Sequence, residues 1–283
     1  SVGAARNRFC ASLSISGTTS GGATSQPSRQ PVMPKYFEKL LMTKISSATD
    51  SAVTAVDTRG KAMLTRFDNG LTIYSHNQLY GRWYTARRPR YPKTNRQLRI
   101  ELCTSTHRAL LYSASDIDVL TERQLGKHPF LRRVGPDILD AKLTPEEIVE
   151  RLCEPGFRGR ALGSLYLDQA FLAGNGNYLR SEILWVAGLD PASKPADLDP
   201  AALHRLAAET LRISRRSYRT RGVTVAPGLA KSLKDSGMGY ERYRFYVFGR
   251  EGLPCHHCGA PIERQTMGSR NIFVCRSCQR ADN

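Results

Sequence analysis

The chain has 283 residues, enough for two domains, and its 40% hydrophobic content is enough to bury a core. Its 42 Lys and Arg outnumber its 25 Asp and Glu, and the formal charge of +17 favours nucleic acid as a partner, before an anionic membrane. No run of 18 apolar residues occurs, so we expect no membrane-spanning helix. The odd number of cysteines, seven, favours a reducing compartment over a disulfide framework.

The N-terminal segment, residues 1–50, has an unusual composition. Residues 1–37 contain no Asp or Glu and are rich in Ser, Thr, Gly and Arg, which is typical of disordered chain or of an organellar transit peptide. Translation of an upstream or frameshifted stretch would give a similar composition. We therefore predict a disordered or anomalous segment, with one short helix at 37–48.

From about residue 51 the pattern becomes that of strands. Four stretches have the residue types and alternation of β-structure: 61–67, 71–75, 98–102 and 109–113. Asp68-Asn69-Gly70 joins the first two stretches and is a strong hairpin turn. We therefore predict an antiparallel β domain that extends to about residue 135.

After about residue 120 the hydrophobic period becomes helical. Thr144 and Pro145 have the arrangement of an N-cap and a first helical residue, and Asp199 begins a second helix over 199–213. The polar, glycine-rich segment 222–239 is predicted to be a flexible linker. We place the helical domain at residues 136–240.

Within this domain, Gly174-Asn175-Gly176-Asn177 separates two predicted apolar helices at 165–173 and 178–187. Glycines in such a turn leave backbone N–H groups that can face an anion, and the dipole of the following helix adds positive potential. Asn177 could cap that helix and bind a phosphate as well. A glycine-rich connection without any ligand explains the motif equally.

The C-terminal module, residues 241–283, carries two Cys-x-x-Cys pairs separated by 16 residues: Cys255, Cys258, Cys275 and Cys278. This spacing favours one tetrahedral, structural zinc over a redox centre, for which a single pair would suffice. Arg270 lies at the predicted tip of the intervening β-hairpin. Its guanidinium could bind a phosphate, although ordinary solvated charge is the alternative.

Two further motifs lie in the β domain. Lys61 follows Gly60 at the start of a strand, where a lysine is usually surface charge. Gln78, Leu79 and Tyr80 combine an amide, an aliphatic group and a ring ahead of Gly81. They could form a wedge that enters a base stack, or Leu79 and Tyr80 could instead belong to the core.

Taken together, these stretches resemble the formamidopyrimidine-DNA glycosylase/endonuclease VIII family, over about residues 53–278. The resemblance is carried by TRGK (58–61), YSHNQLYG (74–81), LYSASD (111–116), HPFLRRVGPD (128–137), LDQAFLAGNGNYLR (167–180) and the cysteine hairpin. It implies an α+β fold: an N-terminal antiparallel β-sandwich at 51–135, a helical domain with a helix–two-turn–helix motif, and a zinc-finger β-hairpin.

The resemblance also implies a function, base-excision repair. A member of this family removes oxidised pyrimidines from double-stranded DNA and cleaves the abasic site by β,δ-elimination. Lys61 resembles the family's proton donor in β-elimination, and Arg270 the arginine that grips phosphate and assists δ-elimination. The DNA contacts implied by position are Gln78, Leu79 and Tyr80, which fill the gap left by the flipped base, with Arg133 and Asn177. We expect one structural Zn²⁺, a monomer and a bacterial cytoplasmic location at the nucleoid.

The start of the chain departs from this pattern. The family's nucleophile is an N-terminal proline followed by glutamate, whereas the sequence begins Ser1-Val2-Gly3 and Met33-Pro34 is followed by Lys35. We name no catalytic proline and expect weak base excision by the chain as written. The alternative function is a non-catalytic homologue that binds damaged DNA and has lost the nucleophile.

Overall fold

The computed structural model describes residues 8–12 and 51–279, which divide into two compact units that meet in sequence between Arg132 and Arg133. Most of the segment 1–50, including the helix predicted at 37–48, lies outside the described residues. The predicted domain boundaries after residues 50, 135 and 240 remain predictions. Among the described residues, no helix combines the length and the apolar character needed to cross a bilayer.

The first unit is an eight-stranded antiparallel sheet followed by short helices. Its strands are β1 (Arg8–Ser12), β2 (Ser51–Arg59), β3 (Ala62–Phe67), β4 (Leu71–His76), β5 (Arg82–Arg87), β6 (Leu98–Cys103), β7 (His107–Tyr112) and β8 (Asp116–Thr121). They are ordered β5-β7-β6-β1-β2-β3-β4-β8. The helices are α1 (Glu122–Leu125) and α2 (Pro129–Arg133).

Strand β1 differs from the predicted disorder over residues 1–50. Phe9 pairs with Ser51 on β2, and Cys10 pairs with Cys103 on β6. An extended segment supplies the backbone donors and acceptors that the facing edges of β2 and β6 need, and this pairing does not require apolar side chains. Composition alone therefore gave the wrong expectation for these five residues.

The predicted strands and hairpin turn of the first unit are confirmed. Gly70 has a φ of +77°, which glycine adopts without strain, and it joins β3 to β4. One hydrophobic cluster takes its members from both halves of the sheet, as expected for two layers packed face to face: Phe67, Ile73, Ile100, Leu102, Leu111, Ala114, Ile117 and Val119. A second cluster, Ala62, Leu64, Tyr74 and Leu125, covers the other face of β3 and β4.

The second unit is helical and ends in a β-hairpin. Its elements are α3 (Pro145–Cys153), α4 (Leu162–Leu165), α5 (Asn177–Ala187), a 3-10 turn (Pro195–Asp197), α6 (Pro200–Arg219), α7 (Pro227–Asp235), α8 (Tyr240–Tyr243), β9 (Glu263–Met267) and β10 (Arg270–Val274). The N-caps predicted at Thr144 and Asp199 are confirmed. Thr144 Oγ1 accepts from the Glu147 N–H at 3.3 Å, and the Asp199 carboxylate accepts from the Ala202 N–H at 2.7 Å.

One helix prediction and one linker prediction in this unit are wrong. Of the helix predicted at 165–173, residues 166–173 form turns after the short α4, because Asp168 and Gln169 bond to nearby backbone, including the Gly174 N–H at 3.1 Å, and so compete with helix formation. The predicted linker 222–239 contains helix α7. Pro227 occupies its first turn, and Leu229 and Leu233, one turn apart, pack against the cluster around Tyr243.

Strand β10 joins two hydrophobic clusters of the second unit. Ile272 and Val274 pack with the helices α3, α5 and α6, whereas Phe273 and Cys275 belong to the cluster around Val247. This division follows from the alternation of side chains along a strand. The hairpin is therefore fixed to the helices through its own core residues.

Candidate functional site

The four cysteines of the tail converge as the spacing predicts. Their sulfur atoms all lie within 4.8 Å of one another, with Cys255 Sγ 3.9 Å from Cys278 Sγ and Cys258 Sγ 3.4 Å from Cys275 Sγ. These separations are too long for disulfide bonds. They match a tetrahedral metal with metal–sulfur bonds of about 2.3 Å, whose ligand sulfurs lie about 3.8 Å apart.

The cysteine cluster can supply the thiolates that a metal requires. A hydrogen bond from the Ala260 backbone N–H, together with those from the other cysteines, lowers the pKa of Cys258 to about 7. Burial raises the pKa of Cys275 instead, so a cation at the centre is needed for all four groups to be ionised together. Four protein ligands complete a tetrahedral shell, so the cysteines are positioned to bind a metal ion of the structural kind.

The hairpin between the cysteine pairs presents Arg270 at its tip. Gly268, at a φ of +64°, begins the turn, and Met267 and Arg270 are register partners on either side of it. Arg270 is exposed, as the sequence predicts. The turn therefore directs a guanidinium into solvent from a strand that is buried from Ile272 onward.

Arg180 anchors this tip from below, and its role was not predicted from the sequence. It is fully buried on α5, and it donates to the Gly163 carbonyl at 2.6 Å and to the Asn271 carbonyl at 3.1 Å. Burial, followed by the charge of Arg270, lowers the pKa of Arg180 to about 10. The guanidinium still carries its charge at neutral pH, so it can hold the hairpin backbone through charge-assisted hydrogen bonds.

Asn177 lies at the same junction. Gly176 is the N-cap of α5, so the prediction that Asn177 caps the helix is wrong. Its amide nitrogen donates to the Asn271 carbonyl at 3.0 Å, and its amide oxygen accepts from Arg180 at 2.8 Å. An amide has two N–H donors, so one remains that can bind a phosphate beside Arg270.

A second charged residue of α5, Glu182, holds the chain that leads into the cysteine module. It is fully buried, and its carboxylate accepts from the backbone N–H groups of Tyr246, Val247 and Phe248 at 2.8–2.9 Å and from the Thr224 hydroxyl. Burial raises its pKa, and these four donors oppose the rise. A charged residue inside an apolar helix is the sequence signal that could have marked both Arg180 and Glu182.

In the first unit, the loop 77–81 follows β4 and exposes its side chains. Leu79 and Tyr80 are 71% and 70% exposed, so the alternative that they belong to the core is wrong. The loop backbone is tightly closed, because the Gly81 N–H donates to the Asn77 carbonyl at 2.7 Å and a Cβ on Gly81 would lie 2.6 Å from that oxygen. Gln78 adopts a φ of +49° and accepts from Ser115 Oγ at 3.2 Å.

Lys61 lies at the same end of the β3–β4 pair as this loop. It occupies the tight turn after Gly60, whose φ is +58°, and it is exposed. The neighbouring Ala62 pairs with His76, the last residue of β4. Burial lowers the pKa of His76, Asp116 raises it and the charge of Lys61 lowers it further. The first unit therefore brings Lys61, His76 and the loop together.

Arg133 is the last residue of α2 and is exposed. The segment after it is fixed to the second unit, since the Gly135 N–H donates to the Gln169 carbonyl at 2.8 Å. A Cβ on Gly135 would lie 2.5 Å from the Ala170 carbonyl oxygen, so glycine is required for this approach. Within the second unit, Asn177, Arg180 and Arg270 therefore lie together at the hairpin. Arg133 precedes the segment around Gly135 that bonds to Gln169.

Comparisons with known proteins identify the family. A scan against protein-family models gave no match. Endonuclease 8 of Salmonella agona (strain SL483) is 52% identical over 235 residues, covering 83% of this chain and 86% of the relative. Endonuclease 8 of Salmonella enteritidis PT4 (strain P125109) is 51% identical over 235 residues with the same coverage.

Solved structures agree in fold. The chain matches MutM in complex with DNA containing carbocyclic 8-oxo-G with a TM-score of 0.69 at 19% identity, covering 87% of this chain and 86% of that one. It matches Lactococcus lactis formamidopyrimidine-DNA glycosylase, bound non-covalently to DNA containing an abasic site, with the same TM-score, identity and coverage. The predicted α+β fold is confirmed, and the chain belongs to the formamidopyrimidine-DNA glycosylase/endonuclease VIII family.

Proposed function

We propose that this protein is a base-excision repair enzyme that removes oxidised pyrimidines from double-stranded DNA and cleaves the resulting abasic site. It acts as a monomer in the cytoplasm of a bacterium, where it has access to the chromosome. The observation that carries the proposal is the 52% identity to endonuclease 8 over 235 residues. The formal charge of +17 supports it, because a strongly basic surface binds the DNA backbone.

The metal of the cysteine cluster is one Zn²⁺. Four thiolates are the ligand set that structural zinc prefers, and the sulfur separations of 3.4 and 3.9 Å suit its bond length. The ion supplies rigidity to the hairpin and takes no part in the chemistry. Its removal would free the strand that carries Arg270.

Arg270 and Asn177 form a phosphate clamp. The guanidinium of Arg270 is exposed, and the amide of Asn177 is held beside it through Asn271. Charge-assisted hydrogen bonds from a planar guanidinium suit a phosphate oxygen. Binding the phosphate next to the lesion stabilises its departure during δ-elimination, and Arg133 contributes a further contact to the DNA backbone.

The loop 77–81 and Lys61 act on the strand from the first unit. Leu79 and Tyr80 enter the base stack and, with Gln78, occupy the space of the flipped nucleotide, which offsets the cost of unstacking. Their exposure of 71% and 70% supports this role, since side chains that enter a base stack must be accessible to the DNA. Lys61 donates a proton during β-elimination.

Reductive trapping tests the proposal. An enzyme that attacks the sugar through an amine forms an imine with abasic-site DNA, and borohydride converts it to a covalent adduct. We expect the protein to give this adduct and to cleave a pre-formed abasic site, with weak excision from a thymine-glycol duplex by the chain as written, and Lys61→Ala to lose most of the abasic-site cleavage. A protein that binds damaged DNA tightly but gives neither adduct nor product would instead be the non-catalytic homologue.

A further inference from the structure

Gly163 and Met267 touch across the junction between α4 and the zinc-finger hairpin. A Cβ on Gly163 would lie 2.3 Å from the Met267 sulfur and 3.0 Å from Pro191 Cβ. The first separation is shorter than real Cβ contacts and the second is a tight contact, so a side chain at position 163 must displace the Met267 sulfur. Met267 is only half-buried, and it packs against the hydrophobic cluster of the helices.

Gly163 cannot retreat from this contact, because its backbone is bonded on two sides. Its N–H donates to the Pro191 carbonyl at 2.8 Å, and its carbonyl accepts from Arg180 at 2.6 Å. The same Arg180 donates to the Asn271 carbonyl at 3.1 Å. Gly163 is therefore a fixed point, and a collision there moves the hairpin.

Displacement of Met267 is passed directly to Arg270. The two residues are register partners that flank the turn of residues 268 and 269. Partners on neighbouring strands are joined by ladder hydrogen bonds and stay about 5 Å apart, so they move together. A shift of the Met267 backbone would thus move Arg270 with it, while the flexible Met267 side chain takes up the rest of the collision.

We propose that Gly163 and Met267 form a seat that positions Arg270 against its phosphate. Both are positioning residues, because they act through the placement of Arg270, and the proposal rests on the phosphate role of Arg270 proposed above. Because Gly163 has no side chain, the Met267 side chain can pack directly against its backbone. Arg180 and Asn177 hold the backbone of the same tip by hydrogen bonds, whereas the seat fixes the distance between the hairpin and α4.

A size-swap experiment tests the seat. Gly163→Ala adds the colliding Cβ, Met267→Ala removes the sulfur that it meets, and the double variant combines the two changes. Gly159→Ala is the matched control, because Gly159 lies four residues earlier in the same unit and a Cβ there meets nothing within 4 Å. All four variants are assayed as zinc-loaded, full-length protein on duplex DNA with a single abasic site, in single turnover.

We expect Gly163→Ala to lower the rate of δ-elimination by up to about 10²-fold, the cost of misplacing a catalytic group by about 1 Å. The log–log salt slope of DNA binding should fall by about 1, as expected for one lost phosphate contact. β-Elimination should change less. Met267→Ala removes the seat without pushing the tip aside, so it should lower δ-elimination less than Gly163→Ala does, and the double variant should return to the level of Met267→Ala. Gly159→Ala should match the unmodified protein.

Rates are expressed per active molecule by borohydride titration, and the zinc content of each variant is measured, so that misfolded protein is not counted. If Gly163→Ala folds and keeps the product ratio and salt slope of the unmodified protein, the seat does not position Arg270. A folded double variant that is no better than Gly163→Ala overturns the proposal too, and this comparison remains possible if Gly163→Ala alone is unstable. Absence of abasic-site cleavage in the unmodified protein would instead refute the proposed function.

Discussion

The hairpin tip that carries Arg270 and the loop 77–81 are held by different kinds of contact. The tip is anchored from beneath, because buried Arg180 donates to the Asn271 carbonyl and Ile272 packs among the helices. The loop has no such apolar anchor, since Leu79 and Tyr80 are 71% and 70% exposed. Its shape comes from backbone closure at Gly81 and from hydrogen bonds at its rim.

This difference fits the roles proposed for the two regions. A guanidinium that binds one phosphate must be placed to within a fraction of an ångström, so its support is buried and polar. Side chains that enter a base stack need apolar surface and access more than exact placement. Substitutions far from the DNA should therefore impair the hairpin, whereas the loop should respond only to changes in its own side chains.

The largest effect should come from removing the metal ligands of the hairpin. Cys258→Ser leaves three thiolates, and because the energy of zinc binding, about 10–16 kcal/mol, is also folding energy, the hairpin should unfold. We expect zinc content to fall from one ion per chain to well below one, with loss of δ-elimination and weakened DNA binding. Elemental analysis measures the zinc content, and cleavage of abasic-site DNA measures δ-elimination.

The exposed Cys153 provides the matched control, since it lies outside the cluster. Cys153→Ser should keep the zinc and the activity of the unmodified protein. Full activity in metal-free Cys258→Ser protein would show that the hairpin does not depend on the ion, and the contrast with the loop would then disappear.

A smaller loss should follow from changing Glu182, which supports the segment before the cysteines. In Glu182→Gln, the new NH₂ group faces two of the four donors that now bond to the carboxylate, and each buried donor left without an acceptor costs about 1–3 kcal/mol. We expect a fall in Tm and weaker zinc retention. Glu251→Gln is the control, because that carboxylate is half-exposed and pairs with Arg264 at the surface. Equal Tm values for the two variants would contradict the anchoring role.

The loop should behave in the opposite way. Leu79→Ala should leave the free energy of unfolding within about 0.5 kcal/mol of the unmodified value, as for other surface substitutions. Base excision from a thymine-glycol duplex should fall about tenfold because less apolar surface enters the stack. Cleavage of a pre-formed abasic site, which has no base to expel, should fall less. A large drop in stability would indicate that Leu79 supports the fold after all.

The contrast between the two regions also explains what the sequence could predict. The turn at Gly70, the cap at Thr144 and the cysteine spacing are local signals, in which neighbouring residues determine the geometry. The tip position of Arg270 follows from the same hairpin. These features needed no knowledge of long-range packing.

The features that were missed depend on partners distant in the chain. Arg180 and Asn271 are 91 residues apart, and Glu182 and Val247 are 65 apart. Strand β1 was missed because its pairing is supplied by β2 and β6 rather than by its own composition. The helix predicted at 165–173 failed because Gln169 bonds to the backbone of residues 174 and 175. For Arg180, Glu182 and β1, tertiary contacts decided the outcome, whereas the Gln169 contacts are local ones that compete with the helix.

The smallest predicted effect is on the pH dependence of stability, which should differ between the first and the second unit. Burial lowers the pKa of His76, so the folded first unit binds a proton there less readily than the unfolded chain, whose histidine has a pKa of about 6.5. Stability should therefore fall as the pH is lowered below about 6.5, because the unfolded state then gains protons that the folded state does not. Asp116 opposes this trend and the charge of Lys61 strengthens it.

His76→Gln isolates this contribution. Acid also protonates the cysteine thiolates and releases the metal from the second unit, so the raw pH dependence mixes the two regions. The difference between the unmodified protein and His76→Gln cancels the metal-linked part, since both carry the same cysteines. We expect the urea midpoint of the first transition to fall more between pH 7.5 and pH 5.5 in the unmodified protein than in His76→Gln. Parallel curves would mean that His76 is protonated equally in both states, and that acid sensitivity resides in the hairpin alone.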